Sequence, residues 1–151
     1  MTGLEIVEVP WCEACREIRF EVFVIGQSVP PELEVDGFDE GCAHFLARLA
    51  GVPVGTARVR PLRADEAKVE RVAVVETARS RGIGARIMRV IEARARSDGL
   101  RVLSLSAQAP VISFYRRLGY HEEGPRFMEA GIEHQRMRLA LDPIPSSESI
   151  C

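Results

Sequence analysis

The segment from residue 68 to residue 107 constrains the fold of this 151-residue chain more than any other. It begins with an apolar run at residues 68–75 and passes through a turn that contains Gly82 and Gly84. Apolar side chains then recur every three or four positions, which predicts a helix at residues 82–98, and a second apolar run follows at residues 101–107. A strand, a helix and a strand in this order predict a βαβ crossover with two parallel strands.

The turn before this helix has the chemistry of an anion site. The first N–H groups of a helix have no acceptor within the helix, and the helix dipole favours negative charge there. Gly82 and Gly84 lack a Cβ, so phosphate oxygens can approach the backbone closely, and Arg79 and Arg81 add positive charge. A Walker loop would end in Gly-Lys-Ser/Thr, and a dinucleotide fingerprint would have a third glycine where Ile87 stands. The turn is therefore interpreted as a pyrophosphate site that matches neither the Walker motif nor the dinucleotide motif. The alternative is a glycine-containing turn with solvated arginines.

The rest of the chain alternates between strand and helix patterns. Strands are predicted at residues 4–9, 44–50, 54–61, 120–127 and 134–141, and helices at residues 11–24 and 110–118. Residues 27–41 are rich in proline and acids and predict a loop with room for one short helix. The mixture predicts an α/β (α+β mixed) fold with one domain over residues 1–141 and a flexible tail over residues 142–151.

Charge and hydropathy limit the partners that this chain is expected to have. The net charge of −2 and the pI of about 6.0 give no electrostatic reason to expect nucleic acid or an anionic membrane as a partner. No apolar run approaches the length of about 20 residues that a membrane span needs. Residues 1–10 contain no basic cluster and do not resemble a signal peptide. We therefore expect a cytoplasmic protein.

Four cysteines, Cys12, Cys15, Cys42 and Cys151, raise the questions of metal binding and redox chemistry. A structural zinc site would need a second Cys-x-x-Cys pair, so no metal is expected. In the cytosol the cysteines are expected to be free thiols. A thiol-redox protein is a rival hypothesis, but Cys12 and Cys15 lie on the predicted amphipathic helix, and Glu13 opposes a low thiol pKa.

Two motifs resemble those of the GNAT superfamily of N-acetyltransferases. The segment Arg79-x-x-Gly82-x-Gly84, preceded by Glu70-Arg71-Val72-Ala73-Val74, resembles its acetyl-CoA motif, and Phe114-Tyr115-Arg116-Arg117-Leu118-Gly119-Tyr120 resembles its second motif. Further segments resemble the ElaA-like branch, namely residues 19–24, 27–30, 34–36, 55–58, 107–108 and 129–134. The resemblance covers residues 17–139. Gly26 departs from it, because that branch more often has a glutamate there.

The resemblance implies a fold and a co-substrate. It implies a central mixed sheet of about six to seven strands and about four helices, with a V-shaped gap between the fourth and fifth strands. Acetyl-CoA would bind in this gap as co-substrate. The residues expected to contact it are Val72, Ala73, Val74, Arg79, Arg81, Gly82, Ile83, Gly84, Ala85, Gln108, Phe114 and Tyr115.

The resemblance also implies transfer of an acetyl group to a primary amine by direct attack in a ternary complex. Tyr115 is the candidate general acid, because a phenol can donate a proton to the leaving thiolate. Glu70 is the first candidate for the base that keeps the amine neutral, and an ion pair with a neighbouring arginine is its alternative role. His44, Glu133 and His134 are further candidate bases, although each histidine is more simply structural.

The amine acceptor is the least constrained part of the prediction. Both a small amine and a protein or peptide amine fit the sequence, and a homodimer is compatible with it. An acidic loop predicts attraction of a cationic amine, or else a solvated surface; its acids are Glu32, Glu34, Asp36, Asp39 and Glu40. A non-catalytic acyl-CoA-binding regulatory module on the same fold is the alternative function.

Overall fold

Eight strands form one mixed sheet in the computed structural model of the protein, which describes residues 3–142. They are β1 (Leu4–Val9), β2 (Ala43–Leu49), β3 (Val52–Arg63), β4 (Glu66–Val74), β5 (Val102–Gln108), β6 (His121–Glu122), β7 (Phe127–Glu129) and β8 (Ile132–Ala140). The order across the sheet is β1-β2-β3-β4-β5-β8-β6, and β7 pairs with β8. Only the β4–β5 pair is parallel. The predicted mixed fold and the βαβ crossover are confirmed.

Four α-helices lie within residues 3–142: α1 (Glu13–Arg19), α2 (Pro31–Glu34), α3 (Ile83–Ser97) and α4 (Ile112–Arg117). The helix predicted at residues 11–24 is α1 followed by a π-helical segment, Phe20–Ile25. Such segments are rare and often occur at functional sites. The short helix expected within residues 27–41 is α2, which begins with Pro31 at a position where the missing N–H has no cost.

The two faces of the sheet bury different clusters. On α3 the predicted apolar face is buried, and it packs on the sheet with Leu103 and Met137. On β2, Phe45 and Ala47 belong to this cluster, whereas Leu46 between them packs with α1. Because successive strand residues point to opposite faces, α1 and α3 cover opposite sides of the sheet.

The parallel strands β4 and β5 separate after a short paired stretch. They pair from Glu66 with Val102 to Val69 with Leu105, and the remainder of β4 stays paired with β3 alone. A bulge accompanies the separation, because the register on β4 gains a residue near Arg71, whose φ is 57°. The V-shaped gap between the fourth and fifth strands is therefore confirmed.

The strand predicted at residues 120–127 is wrong. It is divided into β6 and β7, because Gly124 with φ of 74° and Pro125 lie between them and proline cannot donate to a sheet ladder. The hairpin after β7 turns at Ala130-Gly131, and the hairpin after β2 turns at Ala50-Gly51 rather than around Pro53. The positive φ values in both turns match the twist of the strands they join. The tail predicted to be flexible lies outside the described residues, apart from residue 142.

Candidate active site

The separation of β4 and β5 opens a cleft of about 1610 Å³. Its walls come from β4, the start of α3, the end of β5, α4, the π-helical segment and the β7–β8 hairpin. Pockets for one drug-sized ligand are commonly about 300–1,000 Å³. The cleft therefore has room for a cofactor and a second substrate together.

Gly82 caps the N-terminus of α3 in the left-handed conformation, with φ of 75°. The Arg86 N–H donates to the Gly82 carbonyl at 3.1 Å, so the N–H groups of residues 83–85 precede the first helical bond. No acidic residue lies in the first turn of α3. A Cβ at Gly84 would lie 3.5 Å from Phe114 Cζ, on the cleft side of the helix. These features make a cradle of backbone donors that is open to an anion.

Two arginines flank this turn in different ways. Arg79 lines the cleft, and its Nε donates to the Val74 carbonyl at 2.9 Å, which fixes the turn against the end of β4. Arg81 is exposed and is not among the residues that line the cleft. The other predicted cofactor residues all line it: Val72, Ala73, Val74, Gly82, Ile83, Gly84, Ala85, Gln108, Phe114 and Tyr115.

The free edge of β4 faces the cleft beyond Val69. Residues 72–74 have no strand partner on the β5 side, so their backbone donors and acceptors on that edge are open to a ligand. An extended, amide-containing molecule can pair with such an edge as an additional strand would.

Tyr115 projects from α4 into the same cleft and is only 7% exposed. Its ring makes edge contacts with Phe114 at 4.9 Å and Tyr120 at 5.9 Å between ring centres. Burial raises the pKa of Tyr115 well above that of an ordinary phenol. The side chain therefore carries its proton throughout the neutral pH range.

Glu70 lines the cleft but is surrounded by cations. Its carboxylate lies 2.9 Å from Arg58 Nη2, 3.0 Å from Arg60 Nε and 3.6 Å from Lys68 Nζ. Arg58 itself is fully buried. Of the two roles that the sequence left open for Glu70, the ion pair is the arrangement observed.

The acidic loop at residues 31–41 is held by two buried arginines, one on α1 and one on β3, which neither sequence interpretation of the loop anticipated. Arg19 pairs with Glu34 and Asp39, and Arg58 pairs with Asp36 at 2.8 Å and with Asp39 at 3.1 Å. The hydrogen bonds from Arg58 hold the pKa of Asp36 well below its usual value. Three of the five loop acids are thus paired with arginines, two of them in buried positions, and these three do not form a free anionic patch.

A reciprocal pair of amides joins the two sides of the cleft. Gln27 Nε2 donates to Gln108 Oε1 at 3.1 Å, and Gln108 Nε2 donates to Gln27 Oε1 at 2.8 Å. Gln108 was expected at the site, whereas Gln27 was noted only as part of a segment that resembles the ElaA-like branch. The pair connects the chain after the π-helical segment to the end of β5.

Parallel strands that separate beside a glycine-capped helix, with a buried tyrosine on the next helix, form the arrangement that the resemblance to acyl-CoA-dependent transferases implies. Residues 13–141 match the family described as "Acetyltransferase (GNAT) domain", and the chain belongs to this family. The predicted membership and the acyltransferase class are thereby confirmed.

Proteins similar to this chain are known both in sequence and in structure. The uncharacterised N-acetyltransferase YjcF of Bacillus subtilis is 36% identical over 121 residues, which cover 80% of this chain and 86% of YjcF. Escherichia coli ElaA superposes with a TM-score of 0.80 at 23% identity, covering 90% of this chain and 99% of ElaA. A GNAT acetyltransferase of Elizabethkingia anophelis, solved with acetyl-CoA bound, superposes with a TM-score of 0.75 at 13% identity, covering 93% and 100% of the two chains.

Two further features of residues 3–142 concern membranes and metal ions. None of the helices there is both long and apolar enough to cross a membrane. No group of three His, Cys, Asp or Glu side chains in that part of the chain is arranged to hold a metal ion. Cys12, Cys15 and Cys42 are free thiols.

Proposed function

We propose that the protein transfers the acetyl group of acetyl-CoA to a primary amine by direct attack in a ternary complex. The observation that carries this proposal is that one cleft contains both the backbone cradle of α3 and the free edge of β4. A phosphate group and an amide-containing arm are the two recognition elements of a CoA thioester. The acetyl-CoA seen with the Elizabethkingia structure supports the same co-substrate.

Each part of the cofactor has a suitable partner in the cleft. The N–H groups at the start of α3 would bind the pyrophosphate, and Gly84 would let its oxygens approach. The amides of the pantetheine arm would pair with residues 72–74. A backbone N–H near Val74 would then stabilise the oxyanion that forms when the amine attacks the thioester.

Tyr115 is assigned as the proton donor to the leaving group. As the amine nitrogen bonds to the carbonyl carbon, the carbon–sulfur bond breaks and the thiolate needs a proton. A phenol whose pKa is raised by burial remains protonated, so it can first hydrogen-bond the sulfur and then supply the proton.

Glu70 is assigned a supporting role rather than that of the base. Its carboxylate holds Arg58, Arg60 and Lys68 together beside the cleft. With three cationic partners, the Glu70 carboxylate is engaged in this network rather than free to contact an amine.

A release assay tests the function. The purified protein is incubated with acetyl-CoA and, in separate reactions, with polyamines, amino sugars, amino acids and lysine-containing peptides. The release of free CoA thiol is followed over time, and the mass of the product is measured. We expect time-dependent thiol release with at least one amine and an equal amount of acetylated product. Acetyl-CoA binding without release across the whole panel would instead favour a non-catalytic regulatory module.

The acceptor is proposed to be a small amine or a protein or peptide amine, and the cytoplasm is the proposed location. A homodimer remains the proposed assembly, and sedimentation velocity of the purified chain measures it. A sedimentation coefficient of a monomer at micromolar concentration would contradict the dimer.

A further inference from the structure

Acetyl transfer to an amine requires a group that accepts a proton from the amine nitrogen. An amine with a pKa of about 10.4 is neutral in only about one molecule in 2,500 at pH 7, so a base in the cleft is valuable. Six acids line the cleft: Glu34, Asp36 and Glu70 are each paired with one or more arginines, whereas Glu21, Glu76 and Glu129 are exposed. The acids of the network are therefore already engaged.

The three histidines of the chain differ in their access to the cleft. His44 is 1% exposed, its Nε2 lies 2.7 Å from the Asp39 carbonyl, and its ring packs on Trp11 outside the cleft. His121 is exposed on β6 and also lies outside the cleft. His134 is the histidine that lines it.

The tautomer of His134 is fixed by its backbone neighbour. Nδ1 lies 2.7 Å from the Ile132 carbonyl oxygen, and a carbonyl can only accept, so Nδ1 carries the proton and donates it. In the neutral ring the lone pair is therefore on Nε2. An imidazole with one nitrogen bound to an acceptor and the other unprotonated is arranged as a base.

An acid and an aromatic ring lie beside His134. Glu129 Oε2 lies 3.9 Å from Nε2. Phe127 stacks on the ring at 5.8 Å between ring centres. Glu133, the neighbouring residue on β8, pairs with Arg126 at 2.9 Å, and Gln108 across from His134 on β5 is uncharged.

The position of His134 brings it to the open end of the separated strands. His134 pairs with Gln108, which is the last residue of β5 and lines the same cleft. The β7–β8 hairpin that carries His134 forms part of the cleft wall, since Glu129, Ala130 and Ile132 line it as well. The amine would enter beside this hairpin.

We propose that His134 is the general base of the acetyl transfer, acting through Nε2 on the acceptor amine either directly or through one water. The step conserves protons: the acceptor ammonium loses one proton to Nε2, and the neutral nitrogen then bonds to the acetyl carbon as the carbon–sulfur bond breaks. The departing sulfur takes a proton from Tyr115, which recovers one as the new amide nitrogen loses its second proton. His134 then returns its proton to solvent. This role rests on the acetyl-transfer function proposed above.

The experiment compares His134→Gln with His121→Gln, a matched substitution outside the cleft. With an amine that the wild type acetylates, His134→Gln is expected to lower kcat/KM about 100- to 10,000-fold at pH 7. The deficit should shrink as the pH approaches the amine pKa, since free amine then needs no base. Acetyl-CoA Kd should stay at the wild-type value, and His121→Gln should behave as wild type. Added imidazole should partly restore the activity of His134→Ala.

The outcomes separate this role from the function itself. A His134→Gln variant with wild-type kcat/KM and an unchanged pH profile would overturn the role of His134 while leaving the acetyltransferase intact. If the variants do not fold, the NMR titration of the His134 ring in the wild-type acetyl-CoA complex decides. If the pKa measured for the ring agrees with the midpoint of the acid limb in the pH profile of kcat/KM, the role is supported. If the two values disagree, the role is overturned. A wild type that acetylates no amine would refute the proposed function and this role together.

Discussion

Replacing Gly84 with alanine tests whether this glycine is required for the stability of the helix or for binding of the ligand. The added Cβ would lie 3.5 Å from Phe114 Cζ and 4.0 Å from Val74 Cγ2, which are ordinary contacts. Gly84 is the second residue of α3 and does not have a positive φ. Alanine is favoured over glycine within a helix by about 0.5–1 kcal/mol, so we expect the free energy of unfolding to rise by up to this amount.

The same methyl group is expected to weaken acetyl-CoA binding. It points into the cleft beside the N–H groups of residues 83–85, where the pyrophosphate is proposed to lie. Loss of one hydrogen bond to a charged phosphate oxygen costs about 1.5–3 kcal/mol. Because each 1.4 kcal/mol is tenfold in affinity, the acetyl-CoA Kd should rise about 10- to 150-fold.

Urea unfolding and isothermal titration calorimetry measure these two quantities on one variant. Gly99→Ala, at the other end of α3, is the control: its φ of 80° makes alanine strained, so stability should fall while acetyl-CoA Kd stays unchanged. A Gly84→Ala protein that is at least as stable as wild type and binds acetyl-CoA equally well would refute the cradle. A marked loss of stability would show that the helix, not the ligand, requires this glycine.

Three further predictions concern other parts of the molecule. Tyr115→Phe should bind acetyl-CoA with unchanged Kd while kcat falls about 100- to 10,000-fold in the CoA-release assay, and an unchanged kcat would remove its role as proton donor. Asp36 has a pKa below its unfolded value of about 3.9, so its charge stabilises the fold above about pH 4 and this contribution is lost as pH falls towards the folded pKa. Urea unfolding should therefore show a stability deficit of Asp36→Asn at pH 7 that shrinks at pH 3; a deficit independent of pH would contradict this. Cys12→Ser combined with Cys15→Ser should retain the wild-type kcat, since neither thiol lines the cleft, and lost turnover in a folded variant would revive a redox role.

Local sequence patterns were sufficient to predict an element where that element is long and packs against the elements next to it in the chain. The apolar face of α3 recurs over four turns, and the strands before and after it follow directly in the chain. The strand predicted at residues 120–127 failed because it was placed from the turn at residues 129–131, without regard to the glycine and proline within it. Gly124 and Pro125 indicate a break in the strand. At such positions the backbone conformation outweighs the strand propensity of the neighbouring residues.

The charge network could not be predicted from local patterns. Arg19 lies on an amphipathic helix and Arg58 on a strand, where arginine is ordinarily exposed. Their carboxylate partners are 12 to 22 residues away in the chain. Only the tertiary fold brings such groups together, so the loop acids looked free. The location of Tyr115 at the site could be predicted only from the family resemblance. A single aromatic residue on a short helix produces no periodic pattern that would indicate its role.

The buried arginines imply that the two ends of the cleft change differently in evolution. Backbone atoms dominate the α3 cradle, so most side chains around it can drift without altering what it holds. At the other end, Arg19 and Arg58 share Asp39, and losing one partner of such a buried pair costs about 3–5 kcal/mol. Substitutions there are tolerated mainly in compensating sets. Relatives should therefore diverge gradually around the α3 cradle and in abrupt, correlated steps around this network, and engineering of this part of the chain should exchange the network as a unit.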